Sequence, residues 1–149
     1  MQRKQSCNYY KMEVTTAQIT KMLTDANIRP SAQRIAVTGY LMTHSTHPTA
    51  EDIYNALLPD YPTLSRTTVY NTLKCLAKAG KIIVLDIDPL TQHFDGNTDD
   101  HAHFMCNCCS KIYDIELTNS PSPPKGFAVD ETHVAFKGTC CECLSLTNQ

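Results

Sequence analysis

Metal-ligating side chains are concentrated in one short stretch of the sequence, residues 99–109, which reads DDHAHFMCNCC. Its eleven residues include two aspartates, two histidines and three cysteines, and each of these types can bind a metal through oxygen, nitrogen or sulfur. The stretch could form one metal site, two sites of different kinds, or a redox-active thiol cluster. The spacing of similar residues elsewhere in the chain bears on that choice.

The cysteines show the spacing of a structural zinc site. Cys106 and Cys109 form one C-x-x-C pair, and Cys140 and Cys143 form a second pair near the end of the chain. Two such pairs can close a tetrahedral four-thiolate site around Zn²⁺, which leaves no coordination position for a substrate. The pattern therefore predicts a zinc site that stabilises the fold.

Further cysteines leave some choices open. Cys108 and Cys141 lie inside the two groups, so the register of the zinc ligands is ambiguous, although the usual spacing favours the outer residues. Cys108 and Cys141 would then be reduced bystanders or redox thiols. Cys75 falls within a predicted helix, where we expect a small core residue.

The histidines of the stretch indicate a site of another kind. His101 and His103 are two residues apart, so a β-strand would project both imidazoles from one face, where they could chelate one cation. Asp95 and Asp114 lie on the segments before and after this pair. A mixed set of imidazoles and carboxylates suits Fe²⁺ or Mn²⁺, although the same pair could be two solvated histidines on a strand.

The zinc-enzyme motifs that such ligands could suggest are missing. Zinc deaminases combine H-x-E with P-C-x-x-C, whereas this chain has His103 in place of the general-acid Glu and Met105 before the first cysteine. The H-E-x-x-H motif of zinc proteases is also absent from the sequence. We therefore expect a binding protein and not an enzyme.

Charge divides the chain into two halves. Residues 1–85 carry ten Lys and Arg against five Asp and Glu, whereas residues 86–149 carry three against ten. A basic half joined to an acidic, ligand-rich half is typical of a sensor that binds DNA at one end and cations at the other.

Two further properties bear on location. The sequence has no run of about 18 apolar residues, so it contains no candidate transmembrane helix. Residues 1–14 are partly basic and lack the apolar segment of a signal peptide. We expect a cytoplasmic protein with a short mobile leader, in which clustered cysteines more often bind metal than form disulfides.

The basic half predicts a series of helices. Thr15 and Gln18 form a capping-box pattern before the first helix, the second follows Pro30 and Ser31, and Thr49 is the predicted N-cap of the third. Apolar residues recur at helical spacing in each of these segments.

A fourth helix carries the pattern of a DNA-recognition helix. Ser65 is its predicted N-cap, and Gly80 supplies a left-handed residue after its end. One face is apolar, and the other presents the groups that reach phosphates and base edges in a major groove. The predicted DNA-binding residues are Arg66, Thr67, Tyr70, Asn71 and Lys74. A merely solvated polar face is the alternative.

The segment after this helix, KIIVLDIDPLTQHFD, predicts a β-hairpin. Two runs rich in strand-forming residues flank an Asp-Pro turn. Three helices, a recognition helix and a hairpin make a winged helix-turn-helix domain.

Together these features resemble the ferric uptake regulator family, and most closely its peroxide-responsive branch. The resemblance runs from Ile28 to Cys143 and depends on the order and spacing of RPSAQR, HPTAEDIYNAL, TTVYNTL, HFDGNTDDHAH, CNCCSKIYDI, GF and GTCCEC. It implies an α+β fold, with a mobile leader at 1–14, a winged-helix domain and hinge at 15–95, and a metal-binding α/β dimerisation domain at 96–149. It also implies a transcriptional repressor that binds a palindromic double-stranded DNA operator as a homodimer.

The resemblance assigns metal ligands residue by residue. It implies a structural Zn²⁺ held by Cys106, Cys109, Cys140 and Cys143. It implies a regulatory Fe²⁺ or Mn²⁺ held by His47, Asp95, His101, His103 and Asp114. In the peroxide-responsive branch, bound Fe²⁺ reacts with hydrogen peroxide and a ligand histidine is oxidised, which matches His47 or His101. His93, two residues before Asp95, is a candidate accessory ligand.

One segment departs from the family pattern, and other functions stay open. TNSPSPPKGF occupies a place where the family usually has a helix, and its three prolines disfavour one. The alternatives are an iron- or manganese-responsive regulator without peroxide sensing, and less so a zinc regulator. Others are a thiol redox or metal-handling protein that uses Cys108 and Cys141, and a zinc-stabilised interaction module.

Overall fold

The computed structural model describes residues 13–147, so most of the predicted leader and Cys7 lie outside the described residues. The chain divides into two compact units with the boundary between Thr98 and Asp99. The first unit contains four helices and a two-stranded sheet. The helices are α1 (Thr16–Asp25), α2 (Ala32–Thr43), α3 (Ala50–Leu57) and α4 (Arg66–Lys78).

Side chains at the starts of these helices have the predicted capping roles. The Thr15 hydroxyl accepts from the Gln18 N–H, and the Gln18 side chain accepts from the Thr15 N–H at 2.8 Å, which confirms the capping box of α1. Thr49 and Ser65 cap α3 and α4 as predicted, and the hydroxyl of Ser31 does the same at the start of α2. Each hydroxyl satisfies a backbone N–H that the helix itself leaves without an acceptor.

The core of the first unit is an apolar cluster to which all four helices contribute. It includes Leu23 of α1, Leu41 of α2, Ile53 of α3 and Leu73 of α4, all of them almost completely buried. The predicted apolar face of α4 is confirmed. Cys75, however, is exposed, so its predicted core position is wrong: the buried side of α4 runs through residues 69, 72, 73 and 76, and position 75 points away from it.

The predicted hairpin is confirmed as β1 (Ile83–Leu85) paired antiparallel with β2 (His93–Asp95). Gly80, after the end of α4, has a φ of 66°, the left-handed conformation that was expected for it. Phe94 of β2 is buried in the helical core. Because side chains alternate along a strand, His93 and Asp95 lie on the opposite face of β2 from Phe94.

The second unit is a three-stranded sheet with a short C-terminal helix. Its elements are β3 (Ala102–Cys106), β4 (Ile112–Ile115), β5 (Val134–Gly138) and α5 (Cys141–Thr147), with strand order β4-β3-β5. β3 runs antiparallel to β4 and parallel to β5. Residues 116–133 contain neither helix nor strand, as the prolines of this segment predicted.

Few apolar side chains are buried in the second unit. Among its described residues, the buried members of the core are Ala102, Cys106, Ile112 and Cys140, and two of these are cysteines. Large apolar side chains such as Phe127, Phe136 and Leu146 are exposed.

In the part of the chain that the structure describes, no helix combines the length and the apolar character needed to span a lipid bilayer.

Candidate metal centres and nucleic-acid interface

The four predicted zinc ligands come together at one end of the second sheet. Cys106 ends β3, and its partner in the parallel pairing is Gly138 of β5, so the segment that carries Cys140 starts beside it. The sulfur atoms of Cys106, Cys109, Cys140 and Cys143 all lie within 4.8 Å of one another. A tetrahedral zinc with bonds of about 2.3 Å separates its sulfurs by about 3.8 Å, which equals the 3.8 Å between Cys109 and Cys140 Sγ. The group therefore fits a closed zinc site.

Backbone amides favour the thiolate form of Cys106. The N–H groups of Cys109, Cys140 and Cys108 point at its sulfur, the last two at 3.3 and 3.4 Å. They lower the pKa of the Cys106 thiol from 9.0 to about 6, because hydrogen bonds to the charged form stabilise it. A thiolate is the form that binds zinc, so the fold prepares this sulfur for a cation.

The other sulfurs interact with one another. The Tyr113 hydroxyl near Cys140 lowers the pKa of that thiol, whereas the facing sulfur of Cys140 raises the pKa of Cys143. Several thiolates in one small volume repel each other unless a cation balances their charge. Cys108 and Cys141 are exposed and lie outside this group of four.

A second group of ligand atoms in the same unit combines imidazoles and a carboxylate. His103 of β3 is directly opposite Asp114 of β4 in the antiparallel pairing, and His101 lies just before β3. His101 Nε2 is 2.9 Å from His103 Nε2 and 3.3 Å from Asp114 Oδ1, and His103 Nε2 is 3.6 Å from the same oxygen. Bonds of about 2.0–2.2 Å to a cation place neighbouring donors about 3 to 3.6 Å apart, so the group fits a divalent ion.

One backbone contact selects the tautomer of His101. Its Nδ1 lies 2.6 Å from the carbonyl oxygen of Asp99. A carbonyl can only accept, so Nδ1 carries the hydrogen and Nε2 keeps its lone pair when the ring is neutral. The nitrogen that faces His103 and Asp114 is therefore the one able to bind a metal.

In the first unit, the predicted ligands His47 and Asp95 lie side by side. His47 Nε2 is 3.5 Å from Asp95 Oδ2, and both side chains are buried. The other carboxylate oxygen of Asp95 accepts a hydrogen bond from the Asn97 N–H at 2.8 Å, which orients the carboxylate. His47 has a φ of 52°, a left-handed conformation that is uncommon outside glycine.

His93 makes two polar contacts within the first unit. Its Nδ1 lies 2.7 Å from the His47 carbonyl oxygen, and its Nε2 lies 3.4 Å from Asp88 Oδ2. Sequence reasoning considered His93 only as an accessory ligand. No local sequence pattern indicates these contacts. The contact with His47 joins residues that are distant along the chain, and the contact with Asp88 lies across the turn of the hairpin.

The five predicted DNA-binding side chains all lie on the exposed face of α4, opposite its buried face. Tyr70 is the most prominent of them, with 55% of its surface exposed. Arg66, however, is engaged by α3. Its Nε and Nη2 donate to the Glu51 carboxylate at 2.9 and 2.7 Å, and the guanidinium lies 4.2 Å above the Tyr54 ring. This ion pair holds the pKa of Glu51 below its ordinary value.

Residues 25–132 match the sequence profile described as the Ferric uptake regulator family. The chain belongs to the ferric uptake regulator family. It is 36% identical over 127 residues to "Peroxide-responsive repressor PerR" of Staphylococcus aureus strain Mu50, an alignment that covers 81% of this chain and 86% of that protein. It is therefore a metal-responsive regulator of this family.

Solved structures of the ferric uptake regulator family have the same fold. One is the PerR of Streptococcus pyogenes, whose structure was described as the basis of peroxide sensing and gene regulation by that protein. It is 28% identical to this chain, with a TM-score of 0.51, and the match covers 91% of this chain and 98% of that one. The Helicobacter pylori ferric uptake regulator, described as having three functional metal-binding sites, is 20% identical with a TM-score of 0.69, covering 91% and 97%. Because its sequence identity is low, the similarity to the Helicobacter pylori protein supports the α+β fold alone.

Proposed function

We propose that this member of the ferric uptake regulator family is a homodimeric, metal-dependent repressor that binds operator DNA and releases it when hydrogen peroxide oxidises a ligand histidine. The observation that carries the proposal is the presence, in one chain, of a closed four-sulfur group and a separate imidazole and carboxylate group. Similarity to the staphylococcal peroxide-responsive repressor supports the peroxide-sensing form of the function.

In this proposal, Zn²⁺ is structural and is held by Cys106, Cys109, Cys140 and Cys143. Four protein sulfurs complete a tetrahedron and leave no open position. The lowered pKa of Cys106 favours the charged form that such a site requires. Zinc binding then contributes directly to the folding of the second unit.

The regulatory cation is Fe²⁺ or Mn²⁺, and its proposed ligands are His47, Asp95, His101, His103 and Asp114. Imidazole and carboxylate donors suit these ions better than they suit a thiolate-preferring ion. The ligands come from both units of the chain, so a cation that needs all five would favour one arrangement of the units over the others. Binding energy would thereby select the DNA-competent dimer, with the metal as corepressor.

Peroxide sensing would act on the ligands themselves. These residues would hold Fe²⁺, which would supply redox chemistry with hydrogen peroxide. A ligand imidazole carbon would accept one oxygen atom of the peroxide, and the other oxygen would leave as water. The proposed acceptors are His47 and His101. An oxidised imidazole is a poorer donor, so the remaining ligands would hold the cation less tightly and the DNA-competent state would be depopulated.

DNA binding is assigned to the exposed face of α4. Tyr70, Asn71 and Thr67 offer groups that reach base edges, and Lys74 offers an ammonium for a phosphate. In a homodimer two such helices would read the halves of a palindromic operator. Arg66 is partly neutralised by Glu51, so we expect it to contribute less than the other residues of this face.

The proposal can be tested with the full-length zinc-loaded protein and DNA from its own promoter. Gel shifts are compared for protein loaded with Fe²⁺ or Mn²⁺, before and after hydrogen peroxide, and oxidised residues are then located by tandem mass spectrometry of tryptic peptides. We expect DNA release with Fe²⁺ only, together with one added oxygen assigned by its fragment ions to His47 or His101 and not to a neighbouring methionine or cysteine. His133→Ala, at an exposed histidine outside both groups, should behave as the wild type.

Two results would contradict this mechanism. Equal release of Mn²⁺ protein by peroxide, or oxidation confined to Cys108 and Cys141, would favour a thiol redox protein. Metal-dependent DNA binding without any peroxide response would leave an iron- or manganese-responsive regulator.

A further inference from the structure

We propose that His93 is a positioning residue, oriented by Asp88, that holds the backbone of His47 so that its imidazole faces the regulatory cation. This inference rests on the proposed function in one respect, the role of His47 as a ligand. It assigns His93 a role other than that of an accessory ligand, and it adds Asp88 to the residues on which metal binding depends.

Two hydrogen bonds connect strand β2 to the segment that carries His47. His93 Nδ1 donates to the His47 carbonyl at 2.7 Å, and the Phe94 N–H donates to the Pro48 carbonyl at 3.0 Å. The second bond uses the backbone, so any residue at position 94 except proline could make it. The first bond requires a side chain with a donor at the position of Nδ1. A substitution of His93 can therefore remove this bond while leaving the backbone bond of Phe94 in place.

The backbone at His47 needs such an anchor. Its φ of 52° lies in the left-handed region, which costs energy for a residue with a β-carbon and persists where surrounding contacts impose it. Proline follows at position 48 and restricts the residue before it further. A strong hydrogen bond to the carbonyl of this same residue fixes the peptide plane, and through it the direction of the Cα–Cβ bond.

The orientation of His93 is itself constrained. Its Nε2 lies 3.4 Å from Asp88 Oδ2, and both side chains are about 85% buried, with exposures of 15% and 16%. Each ring nitrogen thus has its own polar neighbour, the His47 carbonyl at Nδ1 and the Asp88 carboxylate at Nε2. In many metal sites a carboxylate orients the histidine that binds the metal. Here the carboxylate of Asp88 faces a histidine that contacts the backbone of the proposed ligand residue, His47.

The same contacts argue against a ligand role for His93. Nδ1 must carry a hydrogen to donate to a carbonyl, so it has no lone pair for a cation. Nε2 faces the Asp88 carboxylate, which is not one of the proposed ligands. The geometry leaves neither nitrogen directed at His47 Nε2 or Asp95, where the first-unit donors lie.

The effect of His93 on metal binding can be measured directly. Mn²⁺ affinity is determined from the electron paramagnetic resonance signal of free Mn²⁺, using full-length zinc-loaded wild type, His93→Leu and His93→Asn. Loss of a residue that supports a ligand typically weakens metal binding by about 10- to 100-fold, and we expect this for His93→Leu. The asparagine amide nitrogen occupies nearly the position of Nδ1, so His93→Asn should retain most of the affinity.

Amide hydrogen exchange provides a readout that does not involve the metal. In zinc-loaded protein without Mn²⁺, exchange in the peptide that contains residues 45–50 should accelerate in His93→Leu and remain near the wild-type rate in His93→Asn. His44→Leu is the matched control for affinity, because His44 Nδ1 makes a similar 2.8 Å contact with the Tyr40 carbonyl but lies outside the proposed site. Asp88→Asn keeps His93 and should weaken Mn²⁺ binding less than His93→Leu does. If His93→Leu does not fold, Asp88→Asn still tests the inference.

Several outcomes would overturn the inference. Wild-type affinity in both His93→Leu and Asp88→Asn would show that the anchor does not matter. Equal loss in His93→Leu and His93→Asn, with unchanged exchange at residues 45–50, would instead identify His93 as a ligand. Failure of the wild-type protein to bind Mn²⁺ would overturn the proposed function itself, and the positioning role with it.

Discussion

The two units of the chain are held together by different kinds of interaction. The first contains an apolar cluster built from four helices and strand β2, in which Leu23, Ile53 and Leu73 are completely buried. The second buries few apolar side chains among its described residues, and two of them are the zinc-ligand candidates Cys106 and Cys140. We expect apolar burial to stabilise the first unit, whereas the second is too small to build an equivalent core.

Because of this difference, we expect the two units to differ in whether their folding depends on a bound metal. The first unit carries the proposed DNA-binding face, and we expect its apolar core to stabilise its fold without a cation. The second unit carries the zinc ligands, and its fold is expected to depend on them, because structural zinc contributes its binding free energy to folding. Zinc loss should therefore act on one unit, and core mutations on the other.

The largest effect is expected from removal of one zinc ligand. Cys106→Ser should release the zinc and unfold the second unit, since structural zinc sites contribute about 10–16 kcal/mol of apparent binding free energy. Zinc content and amide exchange report the result, and the α4 amides should stay protected. Cys108→Ser is the matched control, because Cys108 lies outside the four-sulfur group, and it should keep its zinc. Global unfolding in Cys106→Ser would contradict the independence of the first unit.

A smaller effect in the other unit should follow truncation of its core. Leu73 is completely buried, and Leu73→Ala should lower the free energy of unfolding of the first unit by about 2–5 kcal/mol, measured by urea denaturation. Zinc content should not change. Leu90, which is 91% exposed, supplies the control: Leu90→Ala should alter stability by less than about 0.5 kcal/mol. Loss of zinc in Leu73→Ala would contradict the prediction that the two units are stabilised separately.

The smallest effect concerns the proposed DNA-binding face of α4. Glu51→Gln should free the Arg66 guanidinium for DNA and raise operator affinity by about threefold, because a solvent-exposed ion pair holds the guanidinium only weakly. Fluorescence anisotropy with labelled operator DNA measures this change, with zinc and Mn²⁺ binding unaffected. Asp60→Asn makes the same charge change at another exposed acid, so an equal gain there would indicate long-range electrostatics instead of release of Arg66.

Much of the fold was accessible from local sequence signals. Thr15, Ser31, Thr49 and Ser65 each begin a helix as predicted, because capping hydroxyls act on amides only a few residues away. Gly80 ends α4 for an equally local reason. The paired C-x-x-C spacing indicated a four-sulfur group, since each pair is short enough for both cysteines to reach one ion.

Other features depended on contacts between distant segments. Cys75 is an exception: its residue type, which is usually buried, was weighed above its position beside the apolar face of α4. The pairing of His103 with Asp114 follows from the register of β3 and β4, and register is set by the whole sheet. The ion pair between Arg66 and Glu51 depends on how α3 packs on α4.

The sequence by itself therefore determined the ligand types, their grouping in the chain and the starts of the helices, all of which depend on neighbours within a few residues. Only the tertiary structure decided which atoms those side chains meet. It gave the His101 ring its tautomer through the Asp99 carbonyl and directed His93 to the backbone of His47, 46 positions away in sequence. Such contacts form where packing brings distant backbone groups within hydrogen-bonding distance, and a buried carbonyl then requires a donor.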